Sequence, residues 1–289
     1  MLDALSNFRG AIRDAGLEPP DVIEPGKWHR FPGVDKSNGN TAGWCHLFED
    51  GLGGCFGDWS SGLSETWQAK RDNPLSQSER VAFTRRVEEA RKHAEAERQQ
   101  QYADAAAEAA KIWKATEPAN DDHPYLVHRK IKANGARLRR GALVIPVRSG
   151  DELHSLQFIT EDGRKQFLSG GRISGGYFSI GSIQGADALC IAEGFATGAT
   201  IHQATGHLVA VAFHAGNLAP VAKAMRQKLP DLPLIICADD DAGTEGNPGI
   251  TKANQAALAI GAKVAVPDFG VQHPGGGDRL QRHGRVAWA

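Results

Sequence analysis

This 289-residue sequence contains no long apolar run. A helix that crosses a bilayer needs about 20 consecutive apolar residues, so no membrane-spanning helix is predicted. Met1 to Gly10 includes Asp3 and has no basic segment leading into an apolar one, so no secretory signal is read there. Cysteine is scarce: Cys45, Cys55, Cys190 and Cys237 form no CxxC pair. That argues against a structural zinc ribbon, so no zinc is expected, and it favours reduced thiols in a cytoplasmic protein. No GxxxxGK[ST] segment occurs, which excludes a P-loop triphosphatase within this sequence. Excess charge is lacking too, with 33 Lys+Arg against 34 Asp+Glu. The chain as a whole would not attract nucleic acid by bulk charge.

The charge that is present is unevenly placed. Residues 1–70 hold 6 basic and 10 acidic side chains, whereas residues 121–183 hold 10 basic and 6 acidic. Between His123 and Gly150 there are seven Lys or Arg and no acid. Such a patch suits phosphate contacts, although charge alone favours a solvated face. Residues 1–70 scatter Trp28, Phe31, Trp44, Phe48, Phe56, Trp59 and Trp67 among glycines, after a short helix from Phe8 to Ala15. This predicts a small α+β module of antiparallel strands. Its aromatics are expected mainly to form a core, with base stacking as the alternative. Residues 71–119 lack Gly and Pro from Ser76 to Trp113 and predict a helical connector, with Phe83, Val87, Ala90 and Ala94 as its apolar stripe. Residues 120–183 predict a small mixed domain. Its strands are Gly141 to Val147 and His154 to Thr160, and a turn at Asp162-Gly163 leads into Arg164 to Leu168.

From residue 184 to 269 the pattern is β-α-β-α-β-α-β with continuous apolar strands (Ala188 to Gly194, Leu208 to Phe213, and LPLIICADDD), the mark of a parallel sheet covered on both faces. Ligands in such sheets bind beyond the carboxyl ends of the strands. Glu193 follows the first strand, and Asp239, Asp240 and Asp241 follow the third. If these strands are neighbours, the acids share one rim. Several carboxylates converging there require a cation, and hard oxygen ligands suit Mg²⁺ or Mn²⁺. A lone Asp at a strand end more often caps the next helix. Glu plus D-x-D at two strand ends favours the metal.

The segments CIAEGFATGATI, VAVAFHAGNL and IICADDDAG resemble the signature segments of the Toprim domain. That fold is shared by bacterial-type primases, topoisomerases, RecR-like proteins and OLD-type nucleases. HPYLVHRKI, the stretch from GALVIPV to YFSIG, and the N-terminal WHRFPG, GWCHLFEDG and FGDWSSG resemble primase-like proteins of phages, plasmids and integrated elements, of the plasmid TraC and satellite-phage type. The expected architecture is α/β. A Rossmann-like C-terminal Toprim domain with a four-stranded parallel sheet (184–269) follows a basic primase-core subdomain (120–183), the helical connector and the N-terminal module. The length leaves no room for topoisomerase gates.

The resemblance implies Glu193 as general acid/base and possible cation ligand. It implies Asp239 and Asp241 as the D-x-D pair holding Mg²⁺ or Mn²⁺, with Asp240 between them at the metal. Asn217 is placed beside the site, and Arg129, Lys130, Lys132, Arg164 and Lys165 are candidates to hold template or triphosphate. The implied activity is primer synthesis on single-stranded DNA from nucleoside triphosphates, with a helicase only as a separate partner. The rivals are a Toprim nuclease and an inactive, truncated DNA-binding protein.

Relatives carry an acidic DFND segment after the last strand, which residues 270–289 lack. Asp278 to Ala289 can be back-translated so that the frame one base later encodes TDFNDMAELHG. The tail is therefore expected to be frameshifted and shortened, with activity weakened or lost. Codons incompatible with that frame would end the idea.

Overall fold

The computed structural model describes residues 2–36, 39–71, 73–240, 243–268 and 287–288. The chain divides into two compact units, Met1–Gln100 and Gln101–Ala289. No helix among the described residues is long and apolar enough to cross a membrane.

The first unit opens with α1 (Leu2–Asp14), followed by β1 (Trp28–Phe31), β2 (Gly43–Leu47), β3 (Gly53–Asp58) and β4 (Leu63–Gln68). The four strands pair antiparallel in chain order. Phe8 and Ile12 of α1 pack with Cys45, Leu47 and Phe56 on one side, while Trp44, Phe48 and Cys55 meet Val87, Ala90 and Ala94 on the other. β3 therefore has apolar residues on both faces, and its glycines make room for the rings. A Cβ at Gly53 would stand 2.3 Å from Phe83, and one at Gly54 would stand 2.9 Å from Phe8. The core reading of most of these aromatics follows from this packing.

Helix α2 (Gln77–Lys114) is one continuous element of 38 residues. It begins where Ser76 and Glu79 cap each other: Glu79 N–H donates to Ser76 Oγ at 3.3 Å, and Ser76 N–H donates to Glu79 Oε2 at 2.8 Å. The expected stripe of Phe83, Val87, Ala90 and Ala94 is its contact face within the first unit. Farther along, Ala109 and Ile112 pack on Val144 and Leu156 in the second unit. The division between the units falls inside this helix, so it belongs partly to each and is not a separate connector.

In the second unit β5 (Glu117–Pro118), β6 (Arg137–Arg139), β7 (Ala142–Ser149), β8 (Glu152–Ile159) and β9 (Lys165–Phe167) form an antiparallel sheet in chain order. The short helix α3 (Pro124–Arg129) lies between β5 and β6. The remaining elements are β10 (Phe178–Ile180), β11 (Leu189–Ala192), α4 (Phe195–Thr205), β12 (Leu208–Val211), α5 (Leu218–Lys228), β13 (Leu234–Cys237), α6 (Pro248–Ile260) and β14 (Lys263–Ala265). They build a second five-stranded sheet in the order β10-β12-β11-β13-β14.

Four strands are parallel, as expected. The fifth, β10, pairs antiparallel with β12 (Ser179↔Ala210), so the sheet is mixed and the boundary at residue 183 separates β10 from its own sheet. The glycines flanking Phe178 to Ile180 had concealed a three-residue strand whose Phe178 and Ile180 are buried. One face of this sheet packs α4 and the β7–β8 side chains Leu143, Ile145, Val147 and Ile159. The other packs α5 and α6 through Val221, Met225, Ala253 and Ala256. Beyond β14, Pro267–Asp268 pairs with Ala287–Trp288. The stretch of the tail proposed to be frameshifted lies otherwise outside the described residues.

Candidate nucleotide and metal site

β11 lies directly between β12 and β13, and all three are parallel. Ala192 is level with Cys237 on one neighbour and with Val211 on the other. Glu193 therefore leaves its strand level with Ala238, one residue short of Asp239, and adjacent strands are about 4.8 Å apart. The two signature acids share the carboxyl rim of the sheet because β13 pairs with β11 and not with β12. Both are half-buried. The hydroxyl of Thr197, in the first turn of α4, donates to Asp239 Oδ1 at 3.4 Å.

Asp240 is buried, and its Oδ1 accepts from Asn247 Nδ2 at 2.7 Å. Asn247 is the residue before α6 and has φ of 40°. The middle acid thus ties the strand end to the start of the next helix. Asp241 lies outside the described residues.

The antiparallel sheet reaches over this rim. Lys165 Nζ stands 3.7 Å from where a Cβ on Gly194 would be. The Phe167 ring meets Phe213 edge-on at 5.9 Å. Gly194 and Phe213 are equivalent positions just past β11 and β12, so β9 crosses both strand ends. Phe213 holds φ of 73°, a left-handed conformation rare for an aromatic residue. It brings the ring under β9.

The other expected contacts are placed differently. The Lys132 amide donates to Gln203 Oε1 at 2.8 Å, and the Lys130 carbonyl accepts from Gln203 Nε2 at 3.2 Å. Gln203 is nine residues along α4 from Gly194, about 13 Å away from the acidic rim at 1.5 Å per residue. Lys130 and Lys132 therefore sit toward the amino edge of the sheet. Arg164 pairs with Asp162 in the β8–β9 turn at 2.8 Å. Arg129 lies 5.7 Å from the Tyr125 ring, with Tyr125 beneath that same turn at Gly163.

Asn217, expected as a nucleotide contact, is 1% exposed. Its Nδ2 donates to the carbonyls of Ile173 (3.2 Å), Gly176 (2.9 Å) and Ala212 (2.8 Å), and its Oδ1 accepts from Gly175 N–H at 2.8 Å. Every polar atom of the amide is occupied by backbone. Asn217 clamps the glycine-rich segment before β10 onto the end of β12 and has no group left for a ligand. The basic run contains a second structural arginine: Arg137 lies 4.4 Å from the Trp113 ring and donates to its carbonyl at 2.8 Å.

Among the described residues no group of three or more His, Cys, Asp or Glu is close enough to hold a metal ion. The donor set nevertheless fits a hard divalent cation. Glu193 and Asp239 offer two hard oxygen donors at one half-buried rim. Cys237 lies two residues before Asp239, within β13. It is buried, and its hydrogen bond with Cys190 and that burial push the thiol well above the usual range. Sequence reasoning missed Thr197 and Asn247. Thr197 carried no local signal, because its partner Asp239 is 42 residues away in the chain.

Residues 187–266 match the Toprim domain family. Two DNA primases TraC of Escherichia coli are 33% identical over 282 residues and 32% identical over 292, covering 92% and 91% of this chain. The chain spans 26% and 19% of their lengths. A crystal structure of a DNA primase domain from Pseudomonas aeruginosa overlaps 46% of this chain and 45% of its own, with a TM-score of 0.34 and 15% identity, a likeness too loose to inform the fold. The chain carries a Toprim domain. Over more than nine-tenths of its own length it is similar to the TraC primases.

Proposed function

We propose that the chain is a divalent-cation-dependent nucleotidyltransferase that makes short primers on single-stranded DNA from nucleoside triphosphates in the cytoplasm. The observation that carries this reading is the convergence of Lys165 with the acidic rim. Lys165 Nζ on β9 stands 3.7 Å from the Cβ position of Gly194, the residue that follows Glu193 at the strand end paired with the one that leads to Asp239. A site that joins an amine with hard oxygen ligands suits a triphosphate better than a neutral substrate.

Asp239, with Asp241 beyond the described residues, would hold Mg²⁺ or Mn²⁺, and Glu193 would complete the set. Bound cations neutralise charge at the reacting phosphate and activate the attacking hydroxyl. Lys165 orients the triphosphate through its phosphate oxygens. Glu193 accepts the proton of the 3′-hydroxyl as the O3′–Pα bond forms and the bond from Pα to the departing pyrophosphate breaks. Phe213 and Phe167 close the apolar side. Lys130 and Lys132 would contact the template strand away from the rim, with Arg129 as a further basic residue for it, where sequence-independent backbone contacts suffice.

The test is labelled-nucleotide incorporation on unprimed single-stranded DNA with Mg²⁺ or Mn²⁺. Wild type yields short products, and Glu193→Ala and Asp239→Ala each lower the rate at least about 100-fold. Cleavage of the DNA without any need for triphosphates would replace this reading with a nuclease. DNA binding that persists with no turnover under any cation would replace it with a binding protein.

A further inference from the structure

We propose that Thr197 is a positioning residue for Asp239, fixing that carboxylate so that it meets Glu193 across one cation. The inference rests on the metal-dependent reading above. Thr197 is the third residue of α4 and 3% exposed. Its hydroxyl donates to Asp239 Oδ1 at 3.4 Å. One side chain thus links the helix that follows β11 to the acid that follows β13, and so couples the two strand ends that carry the signature acids.

The other threonine hydroxyls of α4 show what this one would do by default. Thr200 Oγ1 donates back to the Ala196 carbonyl at 3.0 Å, and Thr205 Oγ1 donates back to the Ile201 carbonyl at 2.7 Å. That back-bonding is the ordinary habit of threonine inside a helix. Thr197 departs from it and reaches across to another strand. Its helix neighbours Phe195, Ala196 and Ala199 are buried apolar groups, so shape alone would accept valine there. Only the hydroxyl differs, and it points to a carboxylate.

A hydrogen bond to an ionised carboxylate favours the charged form and fixes its orientation. Metal-bound carboxylates held in this way lose about 10- to 100-fold in affinity or activity when the supporting group is removed.

The experiment titrates Mn²⁺ directly onto the full chain, following free Mn²⁺ by electron paramagnetic resonance, for wild type, Thr197→Val, Thr197→Ser and Asp239→Ala. Thr197→Val is expected to bind Mn²⁺ about tenfold more weakly with an unchanged melting temperature. Thr197→Ser is expected to stay within about threefold of wild type. In primer synthesis the Mn²⁺ concentration for half-maximal rate shifts by the same factor in Thr197→Val. Equal Mn²⁺ affinity in Thr197→Val and wild type overturns the inference and leaves the metal reading standing. Equal weakening in Thr197→Ser and Thr197→Val also overturns it, because packing rather than the hydroxyl is then responsible. Should Thr197→Val not fold, Thr197→Ala takes its place with the same expectations. If wild type binds no more Mn²⁺ than Asp239→Ala, the metal reading falls and the positioning role falls with it.

Discussion

Replacing Asn217 by alanine separates a clamp from a substrate contact. The side chain is 1% exposed and makes four hydrogen bonds, three donated to carbonyls and one accepted from an amide. Its two N–H groups are shared among the three carbonyls, so three to four bonds is the fair count. At about 1 kcal/mol each they contribute about 3–4 kcal/mol. The alanine variant also leaves buried backbone groups without partners, so the loss should reach at least that figure. For a unit of this size about 1 kcal/mol shifts the melting temperature by roughly 2–4 °C. Asn217→Ala should therefore melt about 6–16 °C lower, and Asn217→Asp should fare no better because a carboxylate cannot donate to three carbonyls. Calorimetry gives the shift, and hydrogen exchange reports the local loss: the Gly175 amide should lose its protection first. A variant that melts within about 2 °C of wild type but shows a raised KM for the triphosphate would refute the clamp and restore Asn217 as a nucleotide contact.

Three further outcomes are expected, two at the rim and one in the first unit. Lys165→Ala should raise the KM for triphosphate about tenfold or more without lowering the melting temperature, since the side chain is exposed and its ammonium faces the rim; steady-state kinetics at saturating template checks it. Gly194→Ala should fold normally, because its φ is −109° and the nearest groups to an added Cβ, Lys165 Nζ and Thr197 Oγ1, stand at ordinary contact distances of 3.7 and 3.8 Å. If the rim binds triphosphate, that methyl group occupies the ligand's space, so incorporation should drop while stability holds, and unchanged incorporation would argue against a ligand seated there. In the first unit, burial raises the Asp58 pKa, but hydrogen bonds from Ser60 and from the Val34 amide more than offset it and hold the carboxyl below its usual range. A depressed folded-state pKa stabilises at neutral pH, and that stability is lost as pH falls through the carboxylate range to the folded value. Asp58→Asn should cost about 1–3 kcal/mol at pH 7 and flatten the acid limb of a urea-denaturation series taken between pH 7 and pH 3.

The parallel β/α frame was legible because β11, β12 and β13 are unbroken apolar runs leading to polar residues, and each helix is closed by glycine or proline punctuation. The stripe of Phe83, Val87, Ala90 and Ala94 was legible because helical spacing is a local property. Short strands with mixed or charged residues were not. β6 reads Arg-Leu-Arg, and its place in the sheet comes from pairing with β7, not from any propensity of its own. β10 was hidden by the glycines around it for the same reason.

The sequence by itself determined which acids follow which strands, since chain order and strand ends are local facts. It could not determine that β13 lies against β11, which is what brings Glu193 and Asp239 to one rim. Nor could it sort the basic residues of 121–183 into the rim, the far edge and structural contacts. Tertiary structure made both choices. It put Lys165 over Gly194 through β9, carried Lys130 and Lys132 to the other end of α4, and enclosed Asn217 among carbonyls. Charge and residue type fix what a side chain can do, but its partner depends on which strands and helices pack together, and that is a contest among contacts distant in the chain.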